Sequence, residues 1–272
     1  MQPSGINRYL CSEIICRLFA ARYAAEMTIH DPNAQRLHVT ASLGAGTVID
    51  CDKEQSNYLA NVLRLDQGAE VLLFNGLHGE WRAVLTEASK RNCTLTVDAQ
   101  VRAQQAGPDL HYVFAPLKRT RLDYMVQKAA ELGVSSLRPV ITRRTIAERV
   151  NLERMRANAV EAAEQCGILH VPSVAEPERF ERMLEAWDGN RRLIFCDESA
   201  SVTSPLAVLG NLKPGPLAIL IGPEGGFAPE ERALLLSKPF TVALSLGPRI
   251  MRADTAAVAA LALVNAVLGD WK

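Results

Sequence analysis

Several features that mark whole classes of protein are scarce in this 272-residue chain. No run of apolar residues approaches the roughly 18–20 that a membrane-spanning helix needs. The six cysteines form no CxxC pair, and neither they nor the five histidines fall at spacings typical of a zinc site. We therefore expect reduced thiols in a cytoplasmic protein with no metal and no membrane segment. The 30 basic and 30 acidic residues cancel, which excludes a generally basic nucleic-acid coat but allows a local basic face.

The first 34 residues differ in composition from the rest of the chain. Residues 14–25 are apolar but interrupted by Arg17 and Arg22. A secretory signal has an unbroken apolar core, so this stretch fits one poorly. We predict that residues 1–34 form a loosely packed or disordered extension, with a short amphipathic helix as the alternative. Met27, which begins a more ordinary polar lead, is a candidate for the true start.

Residues 35–102 have the pattern of short strands joined by tight turns. Residues 58–65 are predicted to form a short helix among them, because apolar residues recur on one side. This pattern favours a small β-barrel of about 65 residues. Residues 103–110, which contain glycine and proline, are predicted to be a linker. The predicted strands span residues 47–50, 69–74, 80–87 and 93–101.

After the linker, residues 111–272 alternate short apolar strands with helices. This order predicts an α/β domain whose parallel sheet is covered on both faces. The last helix is apolar on every side, so we expect the core, and a second subunit in a homodimer, to cover it. The predicted strands span residues 111–115, 137–141, 193–196, 217–221 and 242–246, and the helices span residues 122–132, 152–166 and 253–268.

Basic charge is concentrated where a parallel sheet binds ligands. Residues 118–156 carry ten basic residues and four acids, a net charge of +6, whereas residues 161–188 carry two basic residues and seven acids, a net charge of −5. Two basic clusters directly follow predicted strands, at their carboxyl ends. Arginine at such positions can hold phosphates, so we predict a nucleic-acid face, with two solvated faces that cancel as the alternative. The clusters contain Lys118, Arg119, Arg121, Arg143 and Arg144.

Two glycine-bearing loops each follow a buried strand. Residues 222–227, Gly-Pro-Glu-Gly-Gly-Phe, match neither a Walker loop nor the GxGxxG of a dinucleotide site. Residues 246–256 break at Gly-Pro and carry two arginines ahead of the last helix, for which Asp254 or Thr255 is the candidate cap. Because missing side chains let the backbone approach a ligand closely, the loops favour a small-molecule site. A structural turn would explain either loop alone.

Together these two loops resemble the paired C-terminal signatures of the ribosomal RNA small subunit methyltransferase E family. Residues 61–64, 127–134 and 161–167 are similar to further motifs of that family, in the same order along the chain. The resemblance extends from about Arg36 to the C-terminus. Asn57 and Ile168 depart from the family pattern, which often has histidine and arginine there, and we expect both positions to contact RNA.

The resemblance implies a fold, a reaction and partners. The C-terminal domain would be of the SPOUT type, a parallel-sheet α/β methyltransferase domain with a trefoil knot, working as a homodimer. The N-terminal domain would be a PUA-like β-barrel that helps to hold RNA. The implied reaction moves a methyl group from S-adenosylmethionine to N3 of a uridine in the decoding region of 16S rRNA, in the small ribosomal subunit. Knots are rare, and nothing but the resemblance implies one here.

Candidate site residues follow from placing the cofactor against loop backbone and from the need to stabilise a uridine anion. Arg249 and Arg252 are the candidate cations, with a phosphate clamp as the alternative for Arg252. Glu224 is a candidate base or a hydrogen-bond acceptor that fixes its loop. The candidate cofactor segments are residues 195–198, 221–226 and 244–251. Within them the candidate cofactor residues are Phe195, Cys196, Asp197, Ile221, Gly222, Glu224, Gly225, Gly226, Leu244, Ser245, Leu246, Gly247, Ile250 and Met251. The candidate RNA-binding residues are Arg36, Arg64, Lys118, Arg119, Arg121, Arg143 and Arg144.

Two other functions remain open on the sequence alone. A nucleotide-binding α/β enzyme would use residues 222–227 for phosphate, and would bind ATP or NAD in preference to S-adenosylmethionine. A non-catalytic RNA-binding protein would use the barrel and the basic loops alone, so its RNA affinity would not depend on Gly222 or Gly226.

Overall fold

The computed structural model describes residues 34–89, 92–146, 149–201 and 203–271. Two β-sheets organise these residues, one in each half of the chain. The predicted N-terminal extension lies outside the described residues except for Ala34.

The N-terminal half forms a five-stranded sheet that curls around its own apolar core. The strand order is β1-β3-β4-β5-β2, with β1 parallel to β3 and the other pairs antiparallel. Register shifts between β4 and β5 increase the local twist, as β-bulges do. The predicted alternation in β5 buries Cys93, Leu95 and Val97 on the core side. The strands are β1 (Arg36–His38), β2 (Val48–Asp50), β3 (Glu70–Phe74), β4 (Glu80–Ala88) and β5 (Cys93–Arg102).

A short helix links β2 to β3. Helix α1 (Lys53–Asn57) continues as a π-helical turn (Tyr58–Val62), so helical structure begins more than a turn before the predicted start at residue 58. A capping box explains the earlier start: the Asp52 side chain accepts a hydrogen bond from the backbone N–H of Gln55, and the Gln55 side chain accepts one from the backbone N–H of Asp52. The turn ends before Arg64, whose φ is +55°.

The C-terminal half forms a parallel sheet in the order β12-β10-β11-β6-β7-β8, with β9 also paired to β7. The strands are β6 (Leu110–Phe114), β7 (Ser136–Ile141), β8 (Ser173–Val174), β9 (Glu178–Arg179), β10 (Arg192–Cys196), β11 (Leu217–Ile221) and β12 (Thr241–Leu244). The helices are α2 (Arg119–Glu131), α3 (Leu152–Gln165), α4 (Phe180–Glu185), α5 (Pro205–Gly210), α6 (Pro229–Leu236) and α7 (Ala253–Val267). Because the strands run parallel, their carboxyl ends meet at one edge, here called the carboxyl edge, and their amino ends meet at the opposite, amino edge.

Both faces of the parallel sheet are covered, as predicted. One core packs side chains of the sheet against α2, α3 and α7, and a second packs them against α4 and α6. All five residues of β11 are buried between these layers. Within the described ranges, no helix is long and apolar enough to cross a membrane.

Helix α7 begins at the predicted residue, but its cap differs from the prediction. The helix begins at Ala253 with Arg252 at the N-cap position, and no side chain caps it. The prediction that Asp254 or Thr255 caps this helix is therefore wrong, because both residues lie inside the first turn. There the Asp254 carboxylate lies at the positive end of the helix dipole.

Residues 103–109, between β5 and β6, have no regular secondary structure. They fall in the predicted linker, although the predicted domain boundaries themselves stay a prediction. The two halves also touch directly, because Phe74 of β3 packs with Ala163 and Leu169 in a small shared core.

Candidate cofactor cavity and nucleic-acid face

A cavity of about 320 Å³ opens at the carboxyl edge of the parallel sheet. The segments that follow β10, β11 and β12 enclose it, and these are the three segments predicted to hold a cofactor. Ile221, Leu244 and Met251 give the lining an apolar part, while Asp197 and Ser245 add buried polar groups. The cavity therefore offers both apolar surface and hydrogen-bonding groups to one small molecule.

Most of the predicted site residues meet at this cavity. Of the predicted cofactor residues, all except Gly225 line it, and so do Arg249 and Arg252. The sequence patterns do not predict several of the lining residues. Most of these are adjacent to predicted residues, but Arg232 lies inside α6, where no local motif indicates that it belongs to a site. The lining residues that the sequence does not predict are Ser199, Phe227, Arg232, Ala253 and Ala256.

Glycine is required at two positions of the loop after β11. A Cβ atom on Gly222 would lie 2.6 Å from Cε2 of Phe227. That ring packs edge-on against Phe195, with 5.2 Å between the ring centroids, so it has little freedom to move away. Gly226 has a φ of +67°, and a Cβ atom there would lie 2.8 Å from Oε1 of Glu198. The absent side chains thus shape the loop and the wall of the cavity.

An ion pair between a buried aspartate and a half-buried arginine lies at the end of β10. Asp197 is 4% exposed, and its Oδ2 lies 2.8 Å from Nη2 of Arg232. The backbone N–H of Ser199 also donates to Asp197 Oδ1 at 3.0 Å. Next to this pair, burial raises the pKa of the Cys196 thiol to about 12, which keeps it protonated. Among the described residues, no group of three or more His, Cys, Asp or Glu residues could hold a metal ion.

Free cationic groups stand at the mouth of the cavity. Arg249 and Arg252 are exposed, and neither makes a hydrogen bond or an ion pair through its side chain with any other described residue. Glu224 is also exposed, and its Oε1 lies 3.7 Å from Nη1 of Arg121. Arg121 is half-buried and also approaches Asp254, with 4.0 Å between Nε and Oδ2. The cavity lining therefore includes two cations without partners among the described residues, together with the exposed carboxylates of Glu224 and Glu198.

The basic clusters that follow β6 and β7 lie at the same edge as the cavity. Arg144 Nη1 donates to the backbone carbonyl of Gly225 at 2.7 Å, so this cluster touches the glycine-bearing loop directly. Arg143 Nη1 donates to Oε2 of Glu230, at the start of α6, at 2.9 Å. Lys118, Arg119, Arg143 and Arg144 are exposed, and so is Arg64 in the N-terminal half.

The structure corrects the interpretation of Arg36. This residue is 4% exposed, and its Nε donates to Oε1 of Glu80 at 2.6 Å. Its remaining guanidinium nitrogens donate to backbone carbonyls, including that of Ile168. The prediction that Arg36 contacts RNA is wrong, because the side chain is buried and its nitrogens are engaged. The Ile168 side chain is half-buried and packs against the small core at Phe74, which places it between the two halves, whereas Asn57 is exposed.

Two family models match the chain. A model described as an RNA methyltransferase domain matches residues 104–265, and a model described as an RNA methyltransferase PUA domain matches residues 51–98. The first match contains every strand of the parallel sheet, and the second spans β3, β4 and most of β5 in the N-terminal sheet.

Individual proteins agree with these models. The ribosomal RNA small subunit methyltransferase E of Rickettsia conorii is 30% identical over 85% of this chain and 94% of its own length. The crystal structure of a ribosomal RNA small subunit methyltransferase E from Neisseria gonorrhoeae, bound to S-adenosylmethionine, superposes with a TM-score of 0.80 at 25% identity, covering 88% of this chain and 100% of that one. A putative methyltransferase from Legionella pneumophila, also in complex with S-adenosylmethionine, gives a TM-score of 0.77 at 27% identity over 86% of this chain and 98% of that one.

Proposed function

Because the chain belongs to the ribosomal RNA small subunit methyltransferase E family, we propose that it transfers a methyl group from S-adenosylmethionine to N3 of a uridine in the decoding region of 16S rRNA. The observation that carries this proposal is the convergence of the three predicted cofactor segments on one cavity with two unpaired arginines at its mouth. The cofactor bound in the Neisseria and Legionella structures supports it.

The cavity fits S-adenosylmethionine in size and in lining. Its volume of about 320 Å³ falls within the range of roughly 300–1,000 Å³ typical of small-molecule sites. Ile221, Leu244 and Leu246 offer apolar surface to the adenine, and Gly222 lets the backbone approach its edge. When bound, S-adenosylmethionine supplies a methyl group on a sulfonium, which needs no further activation.

The residues at the mouth must instead activate the acceptor. Uridine N3 carries a proton at neutral pH, so transfer requires alignment of N3 and stabilisation of the developing anion. In this proposal Arg249 and Arg252 supply the positive charge, since their guanidinium groups have no partner among the described residues. Glu224 accepts the proton from N3, and Arg121, 3.7 Å away, orients its carboxylate.

The substrate is held outside the cavity in this proposal. The exposed basic residues after β6 and β7 bind phosphates of the small-subunit rRNA, beside the loop that they contact through Gly225. The N-terminal sheet, of which residues 51–98 match the PUA model, gives a second RNA surface. The enzyme acts in the cytoplasm on the small ribosomal subunit.

The proposed enzyme is a homodimer. Val258, Ala259 and Ala262 lie on neighbouring positions of α7 and are only partly buried within one chain. A second copy would remove this apolar surface from water. Light scattering coupled to size-exclusion chromatography tests this part: a dimer has twice the mass of one chain, and a monomer at micromolar concentration contradicts it.

Methyl transfer from labelled S-adenosylmethionine to small ribosomal subunits that lack the modification tests the proposed function. Mass spectrometry of the digested nucleosides should show 3-methyluridine. Cofactor binding without transfer would overturn the substrate assignment. Absence of both, with binding of ATP or of RNA alone, would favour the nucleotide-enzyme or the non-catalytic alternative. Free 16S rRNA in a parallel reaction distinguishes naked RNA from the assembled subunit as substrate.

A further inference from the structure

A buried cluster of charges lies where the N-terminal sheet meets the end of α3. Arg36 on β1 and Arg102 on β5 both bind Glu80 on β4. Arg36 Nε lies 2.6 Å from Glu80 Oε1, and Arg102 Nε lies 2.7 Å from Glu80 Oε2. The side chains of Arg36 and Glu80 are only 1% and 2% exposed. None of these three residues, here called the arginine clamp, belongs to the cavity or to its mouth.

Both arginines of the clamp reach across to the C-terminal half. Arg36 donates to the carbonyls of Glu164 and Ile168 at 2.9 Å each. Arg102 donates to the carbonyl of Gly167, also at 2.9 Å. These carbonyls lie at or just beyond the C-terminal end of α3, where helix carbonyls lack partners within the helix and the helix dipole is negative. The clamp therefore satisfies this helix end with positive charge from the other half of the chain.

Further contacts give the clamp a defined direction. Glu164 Oε1 accepts a hydrogen bond from the backbone N–H of His38 at 2.8 Å, so this bond, like those of the arginines, has its donor in the N-terminal half and its acceptor in the C-terminal half. The centroid of the Phe74 ring lies 4.3 Å from Cζ of Arg36, so the ring covers one face of the guanidinium. Removing one partner of a buried charge pair leaves an uncompensated charge, so the cluster strongly favours one orientation of the two halves. Residues 103–109 lack regular secondary structure, so the covalent connection does not fix that orientation by itself.

We propose that Arg36 and Arg102 are positioning residues, which set the orientation of the N-terminal sheet relative to the carboxyl-edge loops so that both surfaces engage one RNA. Helix α3 connects these places: it begins beyond the basic loop that follows β7 and ends at the clamp, and its 14 residues span about 21 Å. A tilt at the clamp displaces the N-terminal sheet relative to those loops. This inference rests on the proposed function for its RNA readout.

Steady-state kinetics of Arg36→Met tests the proposal, because methionine keeps an apolar stem and removes the guanidinium. The KM for small ribosomal subunits should rise roughly tenfold or more, while kcat and the Kd for S-adenosylmethionine stay within about twofold. The matched control is Arg138→Met, which removes a half-buried ion pair with Glu178 inside the C-terminal half, away from the proposed RNA surfaces, and should leave the KM unchanged. The KM of Arg36→Lys should lie between those of Arg36→Met and wild type, because lysine keeps the positive charge but lacks the forked N–H donors of the guanidinium.

Calorimetry of the full-length chain gives a second readout that needs no activity. Weakening the clamp should split or broaden the unfolding transition relative to wild type and to Arg138→Met, because the two halves become less coupled. An unchanged KM and an unchanged transition in folded Arg36→Met would overturn the proposal, and so would an equal loss of cofactor affinity. If Arg36→Met does not fold, Arg36→Lys carries the same comparison. If the wild-type chain transfers no methyl group, the proposed function fails, while calorimetry still decides whether the clamp couples the two halves.

Discussion

At the carboxyl edge of the parallel sheet, Arg249 and Arg252 are exposed and carry no ion pair within the described residues, whereas Arg36, near the amino edge, is 4% exposed and bound by Glu80. The same type of side chain thus has two different roles. The N–H donors of an exposed guanidinium remain available for a ligand, whereas those of a buried guanidinium form hydrogen bonds with the protein itself. Substitutions at the carboxyl edge should therefore change kcat or ligand affinity with little effect on stability, whereas those at the amino edge should change stability and leave kcat unchanged.

The glycines and the acids divide in a similar way. At the carboxyl edge, the Phe227 ring leaves no room for a side chain at Gly222, in the wall of the cavity. Glu224 is exposed at the mouth. Near the amino edge, Glu80 is buried. Although burial works to raise the pKa of its carboxyl, hydrogen bonds from Arg102 and Arg36 outweigh that effect, and the pKa lies below its ordinary value.

The largest effect is expected at the mouth of the cavity. Arg249→Ala removes a cation from the place where the uridine anion develops, and losses of about 10²–10³ in kcat are typical when one such group is removed. Single-turnover methyl transfer measures the chemical step, and thermal unfolding should be unchanged. Arg182→Ala, which removes an exposed arginine from α4 away from the cavity, is the control. A raised KM for RNA with an unchanged kcat would show that Arg249 only binds substrate.

Local patterns in the sequence predict much of the fold and of the cavity. The alternation of residues 93–101 predicts β5, and the apolar run at 217–221 predicts a strand buried on both faces. Because parallel strands bring their carboxyl ends together, loops that are distant in sequence converge on one cavity. Short elements such as β8 and β9, with two residues each, contain too little pattern to be predicted.

What the sequence does not predict depends on contacts between distant residues. Arg36 cannot be told from the exposed arginines, because its partners on α3 lie more than 120 residues away along the chain. Arg232 lies inside a helix, and its role appears only when it meets Asp197, 35 residues earlier. Gly225 belongs to the predicted loop but does not line the cavity, since the turn carries it to the outside, against Arg144. Tertiary contacts decide all three cases.

After Arg249→Ala, the largest effect is expected from a substitution in the wall of the cavity, and it concerns cofactor affinity. Gly222→Val forces a side chain into the space that the Phe227 ring occupies, and overpacking of this kind costs about 1–3 kcal/mol, or roughly 5–150-fold in cofactor affinity. Titration calorimetry with S-adenosylmethionine measures the loss. Gly215→Val is the matched control, since a Cβ atom there meets no atom within 4 Å. Equal affinities in both variants would place the cofactor elsewhere.

The basic loop after β7 should show a smaller effect, on RNA alone. Replacing both Arg143 and Arg144 with alanine removes two phosphate contacts, each worth about 0.7–0.9 in the slope of log affinity against log salt. The slope for small-subunit RNA should therefore fall by roughly 1.4–1.8, while cofactor affinity stays close to wild type. Alanine at Arg179 and Arg182, which lie in the acidic segment, is the charge-matched control. An unchanged slope in the Arg143 and Arg144 variant would remove this loop from the RNA face.

The smallest expected effect lies at the amino edge and concerns stability alone. Burial, together with the charges of Arg191 and Arg138, lowers the pKa of His111 from 6.5 to about 4, and its Nδ1 is buried without a hydrogen-bond partner among the described residues. As the pH falls below 6.5, His111 binds a proton in the unfolded chain, but in the folded chain it stays neutral until about pH 4. The folded state therefore loses stability between these two pH values. For this one group the loss between pH 7 and pH 5 is on the order of 1–2 kcal/mol. Urea unfolding of His111→Gln at both pH values should show a correspondingly smaller loss, with kcat at pH 7 unchanged. An equal loss in variant and wild type would show that His111 does not carry this acid sensitivity, and a changed kcat would break the separation between the two edges.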